Sequence, residues 1–170
     1  MQRVLVIGCG GSGKSTFARK LARLTGLPLI PLDQVFWRPG WVETPREEFR
    51  EAVARLCEAP AWIMDGNYSS THDIRMPFAD TIIWLDYPRR VCLLRVLQRC
   101  ARYYGHVRED MAPGCPERFD WEFLKHVWMF PEASRPHIVA ALERHGGNAR
   151  LHQLRSLADS ERLFESVKRG

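Results

Sequence analysis

The segment Gly8-Cys9-Gly10-Gly11-Ser12-Gly13-Lys14-Ser15 carries the pattern G-x-x-x-x-G-K-S, and the chemistry of that pattern is phosphate binding. Its glycines, with Ser12, let successive backbone N–H groups turn inward on phosphate oxygens, and a helix opening at the lysine adds the partial positive charge of its first turn. Lys14 is placed to reach β- and γ-phosphates, and the Ser15 hydroxyl to hold a divalent cation. Thr16 is either helix surface or a secondary phosphate contact. The apolar run Val4 to Ile7 before the loop and the helical pattern after it supply both parts of the required context. ATP and Mg²⁺ are therefore the expected ligands.

Two carboxylates end apolar strands. Trp62-Ile63-Met64-Asp65-Gly66 puts Asp65 at the carboxyl edge of a parallel sheet, beside the loop, where it either holds Mg²⁺ through water or caps a turn. Asp33 ends the second strand and faces the same edge; it is a general base for an acceptor hydroxyl or, equally, a turn residue. Asp86, before Tyr87-Pro88, reads as a helix-start residue.

From Pro88 a helical pattern carries Arg95, Arg99 and Arg102 at i, i+4 and i+7, on one face. Leu93, Leu97, Cys100 and Tyr104 fall opposite and are the expected packing stripe. Arg95 and Arg99 are assigned to the nucleotide because the helix leaves the ligand-bearing edge of the sheet; Arg89, Arg90 and Arg102 are assigned to solvent. Residues 105–118 hold Pro113, Gly114 and Pro116 without periodicity and read as a lid, in which Arg108 closes over the phosphates.

The elements that must position these groups follow from alternating short apolar runs and helical patterns, the mark of βαβ units. Strands are predicted at Arg3 to Ile7, Leu29 to Leu32, Ala61 to Met64, Thr81 to Leu85 and Arg150 to Leu154. Helices are predicted at Lys14 to Leu24, Arg46 to Glu58, Thr71 to Phe78, Pro88 to Tyr104, Asp120 to Phe130, Arg135 to Arg144 and Asp159 to Lys168. Trp121, Phe123, Trp128 and Phe130 are expected in the core. Trp37 and Trp41 either stack on an acceptor ring or pack in the core.

At 170 residues, 45% hydrophobic and 26% charged, the chain has the size and balance of one globular domain. No stretch approaches the roughly 20 apolar residues of a membrane span, and the first residues lack a secretory signal pattern, so a cytoplasmic location and no membrane partner are expected. The five cysteines are scattered without a CxxC pair and read as free thiols, and no paired ligand spacing supports zinc. The net charge of +5 admits DNA as a partner, but the arginines gather in Pro88 to Arg118, where planar guanidinium groups serve a triphosphate as readily as a polynucleotide.

With the loop, Asp65-Gly66, Leu85-Asp86-Tyr87-Pro88, Arg95 and Arg99 in order, the chain resembles adenylate kinase and its small-kinase relatives nearly end to end. It is more closely similar to the adenylate-kinase-related group of DNA topology modulation proteins. That likeness rests on Leu32-Asp33 followed by Trp37-Arg38-Pro39-Gly40-Trp41, on Asp65-Gly66-Asn67-Tyr68, on Gly114-Cys115-Pro116-Glu117 and on Arg135-Pro136. The Lys14 to Asp33 interval is also similar to that of shikimate kinases, whose aspartate touches acceptor and metal. The resemblance implies an α/β, three-layer P-loop NTPase fold over residues 1–170, with a five-stranded parallel sheet in the order 2-3-1-4-5, helices on both faces and a short lid. Residues 33–58 would form the acceptor-binding region and 105–118 the lid. It further implies that Asp65 organises Mg²⁺, that Arg95 lies at the adenine and that Arg99 contacts phosphates.

One departure bears on the acceptor. Adenylate kinases follow Asp-Gly with an aromatic, Pro and an acceptor-binding Arg, whereas Asn67-Tyr68-Ser69 stands here and the next arginine is Arg75. Asp33, Trp37, Asn67 and Arg75 are the acceptor-side candidates, and AMP as acceptor is put in doubt. Lys14, Asp33, Arg99 and Arg108 are the candidates for catalysis of γ-phosphoryl transfer to a small molecule. A nucleotide-dependent DNA-binding protein is the alternative. Plain ATP hydrolysis would need a residue that orients water, and none stands out.

Overall fold

The computed structural model describes residues 1–169. Its central strand, β1 (Arg3–Gly8), is buried from Val4 onward, as a run rich in branched residues requires when both faces of a parallel sheet are covered. On one side of β1 lie β5 (Trp62–Asp65) and then β2 (Leu29–Pro31); on the other lie β6 (Thr81–Leu85) and then β7 (Arg150–Leu154). All four pairings are parallel. The five strands thus follow the expected order 2-3-1-4-5. A two-stranded hairpin, β3 (Trp37–Arg38) with β4 (Val42–Glu43), intervenes in the chain and forms a separate antiparallel ribbon.

Register brings the strand ends together. Asp65 pairs across from Val6 and from Pro31, and Gly8 across from Leu85, so β1, β2, β5 and β6 finish along one edge. Chain direction reverses beside β1: α1 (Lys14–Thr25) carries the chain outward to β2, whereas every later crossover runs the other way. Right-handed connections then place α1 on one face and α3 (Arg46–Cys57), α4 (His72–Arg75) and α7 (Arg135–His145) on the opposite one, opening a crevice at the reversal point. The final helix α8 (Leu157–Arg169) joins α1, where Phe17 and Phe164 stack 4.4 Å apart. Among the described residues no helix is long and apolar enough to cross a membrane.

Several elements differ from the sequence reading. The second strand stops at Pro31, and Leu32 already opens a short helix, α2 (Leu32–Phe36), which carries Asp33 in its first turn. The helix expected over Thr71 to Phe78 is broken into α4 between two 3₁₀ turns, Ser69–Thr71 and Met76–Phe78. Pro77 accounts for the second break, because it has no N–H to donate and its ring crowds the preceding turn. In α6 (Trp121–Ala133) the buried residues are Leu124, Val127 and Phe130, with Phe123 half-buried. Trp121 and Trp128 are 68% and 40% exposed, which corrects their assignment to the core. Seven residues apart, they share a face that α6 turns away from the sheet, and the Arg89 guanidinium lies 4.5 Å over the Trp128 ring instead.

The main core is built on Val4, Leu5, Val6, Ile7, Ile63, Ile82 and Ile83. A second, smaller cluster lies outside it: Met111, Ala112 and Cys115 bury themselves against Trp37 and Trp41. This cluster joins the 105–118 loop to the β3–β4 hairpin.

Candidate functional site

Between β1 and α1 the chain makes the expected loop, and its neighbours press against it closely. Gly8 has φ 144°, and a Cβ there would stand 2.5 Å from the Leu85 carbonyl oxygen. Gly11 has φ 75°, and a Cβ there would overlap the Cys92 carbonyl oxygen and crowd Val96 of α5 (Arg89–Tyr103). Gly11→Ala is therefore expected to combine left-handed strain, about 1–3 kcal/mol, with a clash against backbone that cannot rotate away. Thermal melting and nucleotide titration check this; an unchanged midpoint together with unchanged affinity would contradict it.

Inside the loop the Ser12 N–H donates to Cys9 O at 3.2 Å, and Lys14 Nζ donates to the same oxygen at 2.8 Å. Ser12 Oγ is buried with no partner. Gly13, left-handed at φ 92°, turns the chain into α1, so Ser15 falls in the first helical turn and Thr16 is exposed at its surface.

Asp65, only 5% exposed, ends β5 beside this loop with Oδ1 buried and unpartnered. Burial pushes its carboxyl up to about 6 despite the Lys14 ammonium and the nearby Ser15 hydroxyl, while the Asp33 and Asp110 carboxylates add to the rise. A buried carboxylate short of positive charge, next to a serine hydroxyl, is a donor set that fits a hard divalent cation.

Asp33 accepts a hydrogen bond from the Tyr68 hydroxyl at 2.5 Å. Burial first, and then the Asp33 charge, raise the Tyr68 hydroxyl above its ordinary range, so it stays protonated and donates. Its ring is wedged against Phe36 at 4.8 Å and Phe49 at 5.1 Å, and its backbone sits at φ 22°. Neither the bond to Asp33 nor this conformation has a signature in the sequence.

Arg75 is corrected. Expected to hold an acceptor, it is fully buried beneath the turn after β5. It donates to Gly66 O at 3.0 Å, Asn67 O at 2.8 Å, Tyr68 O at 3.2 Å and Thr71 Oγ1 at 2.9 Å. Every arm of the guanidinium is spent on shaping the turn that presents Asn67 and Tyr68. Asn67 keeps its side-chain Oδ1 buried and unpartnered.

His72 braces the same turn, its Nε2 lying 2.5 Å from Asn67 O. Burial, and then the Arg75 charge, lower its pKa to about 4. The unfolded chain takes up a proton near pH 6.5 that the folded chain refuses until about pH 4, so stability falls as pH drops through that window. The loss at the lower end is on the order of 3 kcal/mol. Urea midpoints measured against pH are expected to slope less in His72→Gln than in the wild type, and parallel slopes would refute the assignment.

The arginine helix turns differently from its expected face. Cys92, Val96 and Cys100 are its buried residues, while Leu97 and Tyr104 are 41% and 66% exposed. The corrected rotation brings Arg95 and Arg99 inward. Arg95 donates to Ser12 O at 3.0 Å and lies 5.0 Å over the Tyr87 ring. Arg99 pairs with Glu117 at 3.1 Å and lies 5.5 Å from the Phe123 ring centroid. Arg108 pairs with Asp110 at 2.7 Å and Glu117 at 2.9 Å.

Those two carboxylates, both nearly fully buried, were not singled out by residue type. For Glu117 the one signal was its place in Gly114-Cys115-Pro116-Glu117. Nor was His126, whose pKa is lowered by burial and by the Lys14 charge. Asp86 is a clamp: Arg135 donates to both its oxygens at 3.1–3.2 Å and Gln153 to one at 2.7 Å, tying β6 to α7 and β7.

Trp37 packs edge-on against Phe36 at 4.9 Å and Trp41 at 5.3 Å, and against the buried residues of the 105–118 loop. Four hydrogen bonds cross the same seam. Gln34 Nε2 donates to Glu109 O at 2.8 Å, the Gly40 N–H to Gly114 O at 2.9 Å, the Trp41 indole to Pro116 O at 3.1 Å and the Cys115 thiol to Arg38 O at 3.2 Å.

No family model matches the chain, and no curated protein matches it significantly. Solved structures do. The shikimate kinase of Bacteroides thetaiotaomicron is similar with a TM-score of 0.54 and 18% identity, over 98% of each chain. A sugar kinase from Janibacter sp. HTCC2649 is similar with a TM-score of 0.56 and 18% identity, over 97% of this chain and 93% of that one. The likeness runs end to end at low identity, and what it shows is the fold: a three-layer α/β architecture around a five-stranded parallel sheet.

Proposed function

We propose that the protein transfers the γ-phosphoryl group of ATP to a hydroxyl of a small acceptor. The observation that carries this reading is the convergence of Lys14, Ser15, Asp65 and Asp33 on one sheet edge, with Asp65 Oδ1 and Ser12 Oγ buried and unpartnered. Backbone N–H groups of residues 10–15 hold the β- and γ-phosphates. Lys14 swings from Cys9 O onto the γ-phosphate and neutralises charge that spreads over its oxygens in the transition state. Ser15 and, through water, Asp65 are the residues that would hold Mg²⁺. The chemistry it would supply there is positive charge to offset that of the phosphates.

Asp33, aligned by Tyr68, accepts the proton of the attacking hydroxyl. Arg95, beside Ser12 and above Tyr87, is assigned to the nucleotide. Residues 105–118 act as the lid that excludes water, with Arg99 and Arg108 held ready by Glu117 and Asp110. Residues 33–58 form the acceptor side, on a chain read as one domain working in the cytoplasm. The adenylate-kinase likeness supports the roles of Asp65, Arg95 and Arg99. ADP formation over a panel of hydroxyl compounds is the test; no acceptor-stimulated turnover, with wild type equal to Lys14→Ala, would sink the proposal.

The alternative, a nucleotide-dependent DNA-binding protein, rests on the net charge of +5. Its arginine-rich stretch offers a poor phosphate stripe, since Arg89 and Arg118 pair with carboxylates and Arg95 turns onto the Ser12 carbonyl. A salt titration of duplex binding separates the readings, because several phosphate contacts would give a steep negative slope.

A further inference from the structure

The two halves of the cleft differ in charge. Lys14 and Arg95, bonded only to backbone carbonyls and to no carboxylate, lie on the nucleotide side. On the acceptor side every nearby guanidinium is committed: Arg75 to four oxygens under the turn, and Arg19 to Asp110 and Glu109, each at 3.7 Å. Arg38 binds Glu48 at 2.5 Å, and Arg50 binds Asp73 at 2.8 Å and also donates to Ser70 O. Arg46, with no partner, lines a separate groove toward α7, whose walls include Phe36 and Phe49 but neither Asp33 nor Tyr68.

What the acceptor side offers instead are hydrogen-bond acceptors. Asp33 has one oxygen beyond the Tyr68 bond, and the Oδ1 atoms of Asn67 and Asp65 are buried without donors. Between α2 and the 105–118 loop lies an open hollow of about 690 Å³, lined by Gln34, Val107, Glu109, Met111, Pro113 and Gly114. Its only ionisable wall residue is a glutamate. A phosphate or carboxylate entering here would face Glu109, with no guanidinium among the lining residues to receive it. Desolvating an anion without a partner costs several kcal/mol.

We infer that the acceptor is a hydroxyl compound bearing no phosphate or carboxylate, either neutral or carrying an amine, received by Asp33, Asn67 and the hollow beside Gln34. The inference rests on the kinase reading and narrows it. In the step itself the acceptor oxygen bonds to the γ-phosphorus as the bond from that phosphorus to the bridging oxygen breaks. The electron pair leaves with ADP, and the hydroxyl proton passes to an Asp33 oxygen, so atoms and charge balance.

The test uses matched compounds that differ by one anionic group: nucleoside against nucleoside monophosphate, hexose against hexose phosphate, amino sugar against sugar acid. The neutral or aminated member is expected to exceed its anionic partner at least tenfold in kcat/KM for ADP formation. In Gln34→Arg, which puts a guanidinium at the wall of the hollow, that ratio is expected to fall. A second measurement is independent of turnover. AMP and inorganic phosphate are titrated into the full chain carrying Arg46→Ala, with a non-hydrolysable ATP analogue saturating the loop, and tryptophan fluorescence reports binding. No saturable signal is expected. Saturable binding of either anion, or an anionic acceptor equal to or better than its neutral match, overturns the inference. If no compound raises ADP formation, the kinase reading fails separately and the titration alone decides the charge of the site.

Discussion

Lys14→Ala is expected to lower acceptor-dependent ADP formation by about 10²–10³-fold, the cost of removing one preorganised charge donor from a developing oxyanion. Lys14 Nζ rests on Cys9 O, 2.8 Å away, in a loop that α5 and β6 lock from outside, and on the proposed function it swings from there onto the γ-phosphate. Nucleotide titration is expected to show weakened but measurable binding, because the backbone N–H cradle and the first turn of α1 survive the change. Lys14→Arg is not expected to rescue: a planar fork does not replace a compact ammonium inside a tight turn. Full activity in Lys14→Ala would remove the catalytic reading of the loop.

Arg75→Leu is expected to lose about 3–5 kcal/mol of stability, because it leaves several buried acceptors short of a donor at about 1–3 kcal/mol each. The substitution strips donors from the carbonyls of Gly66, Asn67 and Tyr68 together. At roughly 2–4 °C per kcal/mol for a chain of this size, the melting temperature falls by about 6–20 °C. Arg75→Lys recovers little, since one ammonium cannot span four oxygens in the plane of a guanidinium. Burial lowers the Arg75 pKa only to about 10, so the group is charged at neutral pH and the network is charge-assisted. A variant with an unchanged melting temperature and a raised acceptor KM would restore Arg75 to the acceptor pocket and remove it from the scaffold.

The parts of the molecule that could be read in advance are those where local pattern and chemistry coincide. Gly8 to Ser15 demands a particular backbone path, and the apolar runs at Val4, Ile63 and Ile82 are long enough only for buried strands. The rotation of α5 was a different kind of question. Cys92, Val96 and Cys100 recur every fourth residue, as do Leu93 and Leu97, and hydropathy favours the bulkier pair. The structure buries the small set, because Gly11 comes so close to Cys92 and Val96 that larger side chains would not fit between them. That constraint belongs to two segments more than 80 residues apart and is invisible in either one. Arg75 was misread for a related reason. An arginine near an Asp-Gly turn serves a ligand or the turn itself with the same residue type, and only its burial tells which. Trp121 and Trp128 follow the converse logic: large aromatics default to the core, yet α6 spends its inward face on Leu124, Val127 and Phe130.

The seam between the β3–β4 hairpin and the 105–118 loop carries one more consequence. Trp37 and Trp41 share an apolar cluster with Met111, Ala112 and Cys115, and the Gly40 and Gly114 backbones are hydrogen-bonded across it. Two flaps stitched together in this way behave as a single door. On the proposed function, admitting an acceptor and uncovering the triphosphate would become one mechanical event, with no private exit for either substrate.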